Sequence, residues 1–231
     1  IGLGTATRFA EEGMRVVLAD IESDALASVE EDLSAAGHEV LAVRTDVSCW
    51  DSVSELAARS VERFGAVHVL HNNAGVIVSG AIGDLSFTDW EWVLGVNLWG
   101  AIHGIKAFLP ILREQSEGHI VNTASVRGLT ASPASGPYNV SKFGVVALSE
   151  TLYRELAAED SPIGCSVFCP GPVATRIVDA ARNRPAELAP AHELTPEEEN
   201  FQKFARDLIA KGIPPAAAGQ LVVDAIRAKR F

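Results

Sequence analysis

This sequence predicts an α/β protein built on a parallel sheet with helices on both faces. Short apolar runs alternate along the chain with longer helical patterns. The runs are continuously apolar, as in strands buried on both sides, and do not alternate in polarity. No linker, repeat or low-complexity tract divides the chain, so one domain over residues 1–231 is expected.

The elements follow in order. A helix is predicted from Thr5 to Glu12, ended by Gly13, and the valine- and leucine-rich run Arg15 to Ala19 is the next strand. A helix from Ser23 to Ala36 stops at Gly37, and Glu39 to Val43 is a strand. Ser48 reads as a helix cap, with Asp51 completing a capping box. Val53, Leu56, Ala57, Val61 and Phe64 recur at helical spacing and form that helix's apolar face. Val67 to His71 is a strand, Thr88 to Arg113 a long helix, and His119 to Thr123 a strand. A helix from Pro137 to Ala158 and a strand from Ile163 to Phe168 complete the alternation.

Pro170 to Pro196 is irregular, and Thr195, Pro196 and Glu198 then signal a helix start. Such an insertion at the carboxyl side of the sheet is where a substrate lid would sit, here residues 174–212. A surface connection without a role is an equal alternative. A last helix runs from Pro215 to Ala228.

With 48% hydrophobic residues and a formal net charge of −11, the chain is acidic and of ordinary globular composition. Its pI is about 5.0. Without a basic cluster, it argues against nucleic acid and anionic membranes as partners. No uninterrupted apolar run reaches the ~18 residues of a membrane span. No signal peptide is visible at the amino end. Cys49, Cys165 and Cys169 do not suggest a disulfide framework. Cys165 and Cys169 read as small buried apolar residues. The six histidines lack metal-ligand spacing, and no metal is expected. These features fit a soluble protein of a reducing, bacterial-style cytoplasm.

Tyr138 and Lys142 stand one helical turn apart, with Ser125 upstream. At a spacing of four, two side chains leave the same helix face. A free phenol loses its proton near pH ~10. A cation about 4 Å away is worth roughly 4 kcal/mol at an effective dielectric of ~20, enough to bring the phenol down by about three pH units. The pair could then act as a general acid or base. Taken alone, it reads rather as a packed tyrosine with a lysine snorkelling beside it.

Further motifs place this pair in a larger pattern. Asn72-Asn73-Ala74-Gly75 follows the fourth strand, counted with one that would precede Ile1. Asn97 lies in the long helix, Ser125 lies thirteen residues before Tyr138, and Pro170-Gly171-Pro172-Val173 with Thr175 follows the last strand. In that combination the chain resembles the short-chain dehydrogenase/reductase family, in its single-domain branch of roughly 250 residues. The resemblance covers essentially the whole chain. It implies a Rossmann-type doubly wound sheet and an NAD(P)-dependent oxidoreductase moving hydride between cofactor and a carbonyl or secondary alcohol.

The resemblance also implies roles. Tyr138 is the general acid in reduction and the base in oxidation. Lys142 lowers its pKa and bonds the nicotinamide ribose. Ser125 donates to the substrate oxygen. Asn97 holds a water linking Lys142 to solvent. Ile1 and Gly2 look like the tail of the glycine-rich pyrophosphate turn, and Asp46 with Val47 falls where adenine is contacted. Asn73, Ala74 and Gly75, then Pro170, Gly171, Val173 and Thr175, line the cofactor. Asp20, at the end of the second strand, can accept from the adenosine ribose and would repel a 2′-phosphate, which favours NAD over NADP. A helix-capping role for Asp20 competes with that reading.

Gly2-Leu3-Gly4 opens straight into a helix, whereas a dinucleotide-binding unit needs a strand before its turn. The chain therefore reads as lacking the first and last strands of such a sheet. The open edges of Val16 to Leu18 and Val67 to Leu70 should then face a slot, and a fragment so built should fold poorly and bind NAD weakly. Trp90, Trp92 and Trp99 read as a packing cluster. The long helix and the Tyr138 helix commonly form subunit contacts in the family, so a homotetramer or homodimer is expected. A non-catalytic dinucleotide-binding redox sensor is the alternative function. Retention of Asn97, Ser125, Tyr138 and Lys142 together argues against it. An epimerase of the longer branch needs more chain after Ile163 than is present.

Overall fold

The computed structural model describes residues 1–189 and 196–231. The first half contains α1 (Gly2–Glu11), β1 (Val16–Asp20), α2 (Ser23–Ala35), β2 (Val40–Arg44), α3 (Trp50–Phe64) and β3 (Val69–Asn72). One continuous helical stretch follows, made of α4 (Phe87–Leu94), a π turn (Gly95–Trp99) and α5 (Gly100–Arg113). Then come β4 (Gly118–Thr123), α6 (Gly136–Ala158), β5 (Ile163–Phe168), α7 (Pro196–Ala210) and α8 (Pro215–Arg227). Most boundaries differ from the sequence reading by one or two residues, as fraying ends do.

All strand pairs are parallel, as the alternation predicted. β1 pairs with β2 in the register Val16 to Val40 through Asp20 to Arg44. β4 lies between β3 and β5, with Val69 opposite His119 and Gly118 opposite Ile163. Among the described residues no ladder joins β1 to β3, so the strands form a two-stranded and a three-stranded sheet. The expected slot is present. Val16, Leu18, Leu70 and His71 border one cavity across it.

The main core lies where α3, α5 and α6 meet the strands, through residues such as Leu56, Phe108, Leu112, Ile120, Leu152 and Ile163. A second cluster joins α1, β1 and α2 through Ala6, Ala10, Val16, Leu18, Leu26 and Leu33. Gly13 and Gly37, at φ of +80° and +89°, end the first two helical segments in a conformation that only glycine adopts at little cost.

Several sequence expectations need correction. α1 begins at Gly2, not Thr5, because the Thr5 amide already bonds the Ile1 carbonyl at 2.9 Å. Its glycines serve packing: a Cβ on Gly4 would overlap the backbone of Pro215, and one on Gly219 that of Gly4. The Ser48–Asp51 capping box does not form. Cys49 is the N-cap of α3 and has no side-chain bond. Asp46 competes successfully for Ser48, accepting from its N–H at 2.9 Å and its hydroxyl at 2.6 Å. The capping box lies instead at α4, between Ser86 and Asp89.

Phe87–Arg113 is long and apolar enough to cross a membrane by length and composition, with mean hydropathy 1.2 over its best window. Counting uninterrupted runs missed this because Glu91 and Lys106 break them. Ile105, Phe108 and Leu112 of this helix pack into the main core. The three tryptophans do not cluster. Trp92 is buried near Val76 and Ala180, whereas Trp99 is exposed beside His103. Cys165 is buried, but Cys169 only half so.

After β5 the chain crosses the carboxyl ends of the strands and turns through Ile177–Asn183 and Ala186–Leu188. The helix predicted after residue 195 is α7, beginning at Pro196; Thr195 lies outside the described residues. The base of the 174–212 segment is pinned by two bonds, Ala174 N–H to the Ile213 carbonyl at 2.9 Å and Ile213 N–H to the Pro172 carbonyl at 3.1 Å.

Candidate active site

A cavity of about 1340 Å³ opens where the carboxyl ends of the strands meet the start of α1. Ligands collect at this edge of parallel sheets because loops and helix N-termini converge there. The cavity is bordered by Ile1 and Gly2, by Asp20, Asp46 and Val47, and by Asn73, Ala74 and Gly75. Asn97, Ser125, Tyr138 and Lys142 border it too, as do Pro170, Gly171, Val173 and Thr175. The candidate catalytic and cofactor-binding residues named from the sequence all border this one cavity.

Tyr138 and Lys142 leave α6 on one face, and the Lys142 nitrogen lies 5.7 Å from the centre of the Tyr138 ring. The ammonium donates to the Thr123 carbonyl at 2.8 Å. Lys142 is buried, and burial pushes its pKa down to about 8. Burial raises the Tyr138 phenol, while the Ser125 hydroxyl beside it and the Arg127 guanidinium act the other way. With its ammonium on the Thr123 carbonyl, Lys142 is not among the groups that shift the phenol in this structure. Desolvation dominates, and the cation acting on the ring hydroxyl is Arg127.

Ser125 follows β4 and caps the short turn Val126–Gly128, its hydroxyl accepting from the Arg127 N–H at 3.1 Å. Asn97 sits in the π turn, a break in helical bonding that often marks functional positions. Its amide donates to the Val76 carbonyl at 2.9 Å and the Ser141 hydroxyl at 3.0 Å, and its oxygen accepts from the Val76 N–H at 2.8 Å. Ser141 donates onward to the Tyr138 carbonyl at 2.8 Å. One acceptor position on Asn97 remains for a water.

The opposite end of the cavity suits a dinucleotide. Ile1, the N-cap of α1, has no side-chain bond to the helix, so its first N–H groups are left for a ligand. A Cβ on Gly2 would stand 2.8 Å from the Asn73 side-chain nitrogen, so the turn and Asn73 pack closely at this end of the cavity. Asp20 is exposed at the end of β1, with one oxygen accepting from the Glu22 N–H at 3.1 Å. Its other oxygen has no partner among the described residues and can meet a ribose.

Residues 1–186 match the family model described as short chain dehydrogenase. The chain belongs to the short-chain dehydrogenase/reductase family. A solved family member from Burkholderia phymatum, in complex with NAD, is 43% identical with a TM-score of 0.96, covering 99% of this chain and 82% of that one. The CLA biosynthesis dehydrogenase/reductase of Lactiplantibacillus plantarum is 32% identical over 226 residues, 96% of this chain and 79% of that protein. The 3beta-hydroxysteroid dehydrogenase 2 of Eggerthella lenta is 34% identical over 197 residues, 84% of this chain and 75% of that protein.

Within this short-chain dehydrogenase, several supporting contacts escaped the sequence reading, although Asn72 itself belongs to a motif already quoted. Asn72 donates to Asn122 at 2.8 Å, and Asn122 donates to Ser149 at 2.9 Å, tying β3, β4 and α6 together through buried amides. His71 and Thr123 share a hydrogen bond of 2.8 Å beneath Asn73. Glu22 accepts from Arg182 at 2.7 Å and Asn183 at 2.8 Å, joining the loop after β1 to the segment after β5. The serine in Tyr-x-x-Ser-Lys was the one available signal, because it sits between two residues already marked. The others are ordinary polar residues until the fold pairs them.

Proposed function

We propose that this protein is an NAD-dependent oxidoreductase that interconverts a secondary alcohol and its ketone, with Tyr138 as the general acid and base. The convergence of Ser125, Tyr138 and Lys142 on one cavity carries this reading. Bound NAD supplies the hydride chemistry. The protein's part is to hold the substrate oxygen and move its proton. Ser125 would donate to that oxygen and stabilise charge developing on it in reduction. Tyr138 would give the oxygen its proton in reduction and accept it in oxidation. Lys142, released from the Thr123 carbonyl, would bond the nicotinamide ribose and bring the phenol down. Asn97 would position the water through which the proton is replaced.

Two carboxylates, Asp20 and Glu22, stand at the adenosine end, and both disfavour a 2′-phosphate. That supports NAD over NADP. The 174–212 segment would act as a substrate lid on the single domain, its base pinned beside the Pro172 carbonyl. Trp99, Val140 and Phe143 are exposed apolar residues on the long helix and on α6. They support assembly as a homodimer or homotetramer through these helices, which light scattering would test.

The deciding experiment mixes the protein with NAD and a panel of secondary alcohols and follows absorbance of the reduced cofactor. Tyr138→Phe should lower kcat by about a hundredfold or more while NAD binding is kept. Full activity in that variant would refute the assignment.

A further inference from the structure

Building on the oxidoreductase reading, we propose that Arg127 receives a carboxylate on the substrate, so that the preferred substrates are apolar secondary alcohols or ketones that also carry an acid group. Arg127 lies two residues after Ser125, and its own N–H bonds the Ser125 hydroxyl. The turn that carries it is pressed onto α6: a Cβ on Gly128 would stand 2.6 Å from the Lys142 carbonyl oxygen. The backbone of Arg127 is therefore fixed relative to both Ser125 and Tyr138.

The Arg127 side chain borders the cavity and is half-buried. Among the described residues its guanidinium makes no hydrogen bond or ion pair. Arg182, also on the cavity, is held by Glu22, and Arg184 by Asp89. Arg176 faces the charges of Glu22 and Asp179. Among the described residues the carboxylates bordering the cavity are Asp20, Glu22 and Asp46, at the ends of β1 and β2, and Glu91 on α4. Apolar residues supply much of the remaining wall, among them Val76, Val173, Ile177, Leu188 and Leu208.

A half-dehydrated guanidinium with no anion partner among the described residues is a fork of donors shaped for a carboxylate. The Tyr138 phenol feels the same charge, and both side chains border the one cavity. In oxidation the carbinol carbon gives hydride to NAD, the hydroxyl proton passes to Tyr138, and the carboxylate stays unchanged on Arg127.

The test compares wild type with Arg127→Met and Arg127→Lys. Its substrates are medium-chain hydroxy acids with the hydroxyl at successive positions, each supplied as free acid and as methyl ester with NAD. Removing the cation alters the phenol equally for acid and ester, so the acid-to-ester ratio of kcat/KM isolates the carboxylate contact. Wild type should favour the acid by about tenfold or more at some position. Arg127→Met should abolish the preference through KM, and Arg127→Lys should keep part of it. Calorimetry with octanoate should show binding about tenfold weaker in Arg127→Met. No acid preference in wild type, or equal losses for acid and ester in the variant, overturns the proposal. If no alcohol is oxidised yet octanoate binding depends on Arg127, the oxidoreductase reading fails and the carboxylate site stands. Octanoate binding indifferent to Arg127 removes the site.

Discussion

Lys142 gives its ammonium hydrogen bond to the carbonyl oxygen of Thr123, at 2.8 Å, rather than to the phenol one turn away. The lysine is thus held at the end of β4, between the catalytic helix and the sheet. Its charge is buried, and burial lowers its pKa from 10.5 to about 8.

That burial sets a trade between stability and activity. Between about pH 8 and 10.5 the folded protein binds fewer protons at Lys142 than the unfolded chain does. The cost of burying the charge is therefore complete below pH 8 and fades as pH rises toward 10.5, on the order of 3 kcal/mol in all. Lys142→Met should raise the urea midpoint near neutral pH, with the gain shrinking in alkaline buffer. The same variant should lose about a hundredfold or more in kcat. Urea titrations at two pH values, beside steady-state rates, check both halves.

Two histidines, His119 buried and His71 half-buried, predict acid sensitivity. Burial lowers His71 and His119 from 6.5 to about 4, with Lys229 adding to the effect at His119. Below pH 6.5 the unfolded chain takes up protons that the folded protein refuses, so stability falls from there down to about pH 4. His71→Gln, which can still bond Thr123, should flatten this slope in thermal melts across that range. An unchanged slope in both His71→Gln and His119→Gln would contradict it.

Ser141 is fully buried and joins Asn97 to the Tyr138 carbonyl. Ser141→Ala leaves an Asn97 donor without its partner and should cost about 1–3 kcal/mol of stability. It should also lower kcat more than it raises KM, because the tyrosine's helix turn loses its tether. Ser141→Thr, which keeps the hydroxyl, separates these effects if it restores kcat.

The bridge from Glu22 to Arg182 and Asn183 crosses the mouth of the cavity between segments 160 residues apart. Glu22→Gln should speed release of reduced NAD a few-fold in stopped-flow fluorescence, a modest effect suited to a partly exposed pair. The exchange Glu22→Arg with Arg182→Glu should restore slow release. Failure of the exchange to recover it would show that Glu22 acts otherwise.

The layout of the sheet was legible because parallel strands buried on both faces leave continuous apolar runs, such as Ile163 to Phe168. Tyr138, Lys142 and Ser125 were legible because their chemistry ties residue type to spacing. The direction of the Tyr138 shift was not. Spacing says that a lysine is near, but not how deeply the fold buries the phenol, and burial decides the direction. Asp46 likewise overrode the local cap at Ser48, and the Glu22 bridge needs two segments that only the fold brings together. Asn122 reads as a lone polar residue in an apolar strand until Asn72 and Ser149 meet it.

The paired bonds between Pro172, Ala174 and Ile213 have an evolutionary corollary. A segment whose two ends leave the scaffold at the same point behaves as an interchangeable cassette. Its length and lining can drift, or be grafted from a relative, while the sheet beneath keeps its register. New substrate preferences could then arise without re-engineering the proton-transfer machinery.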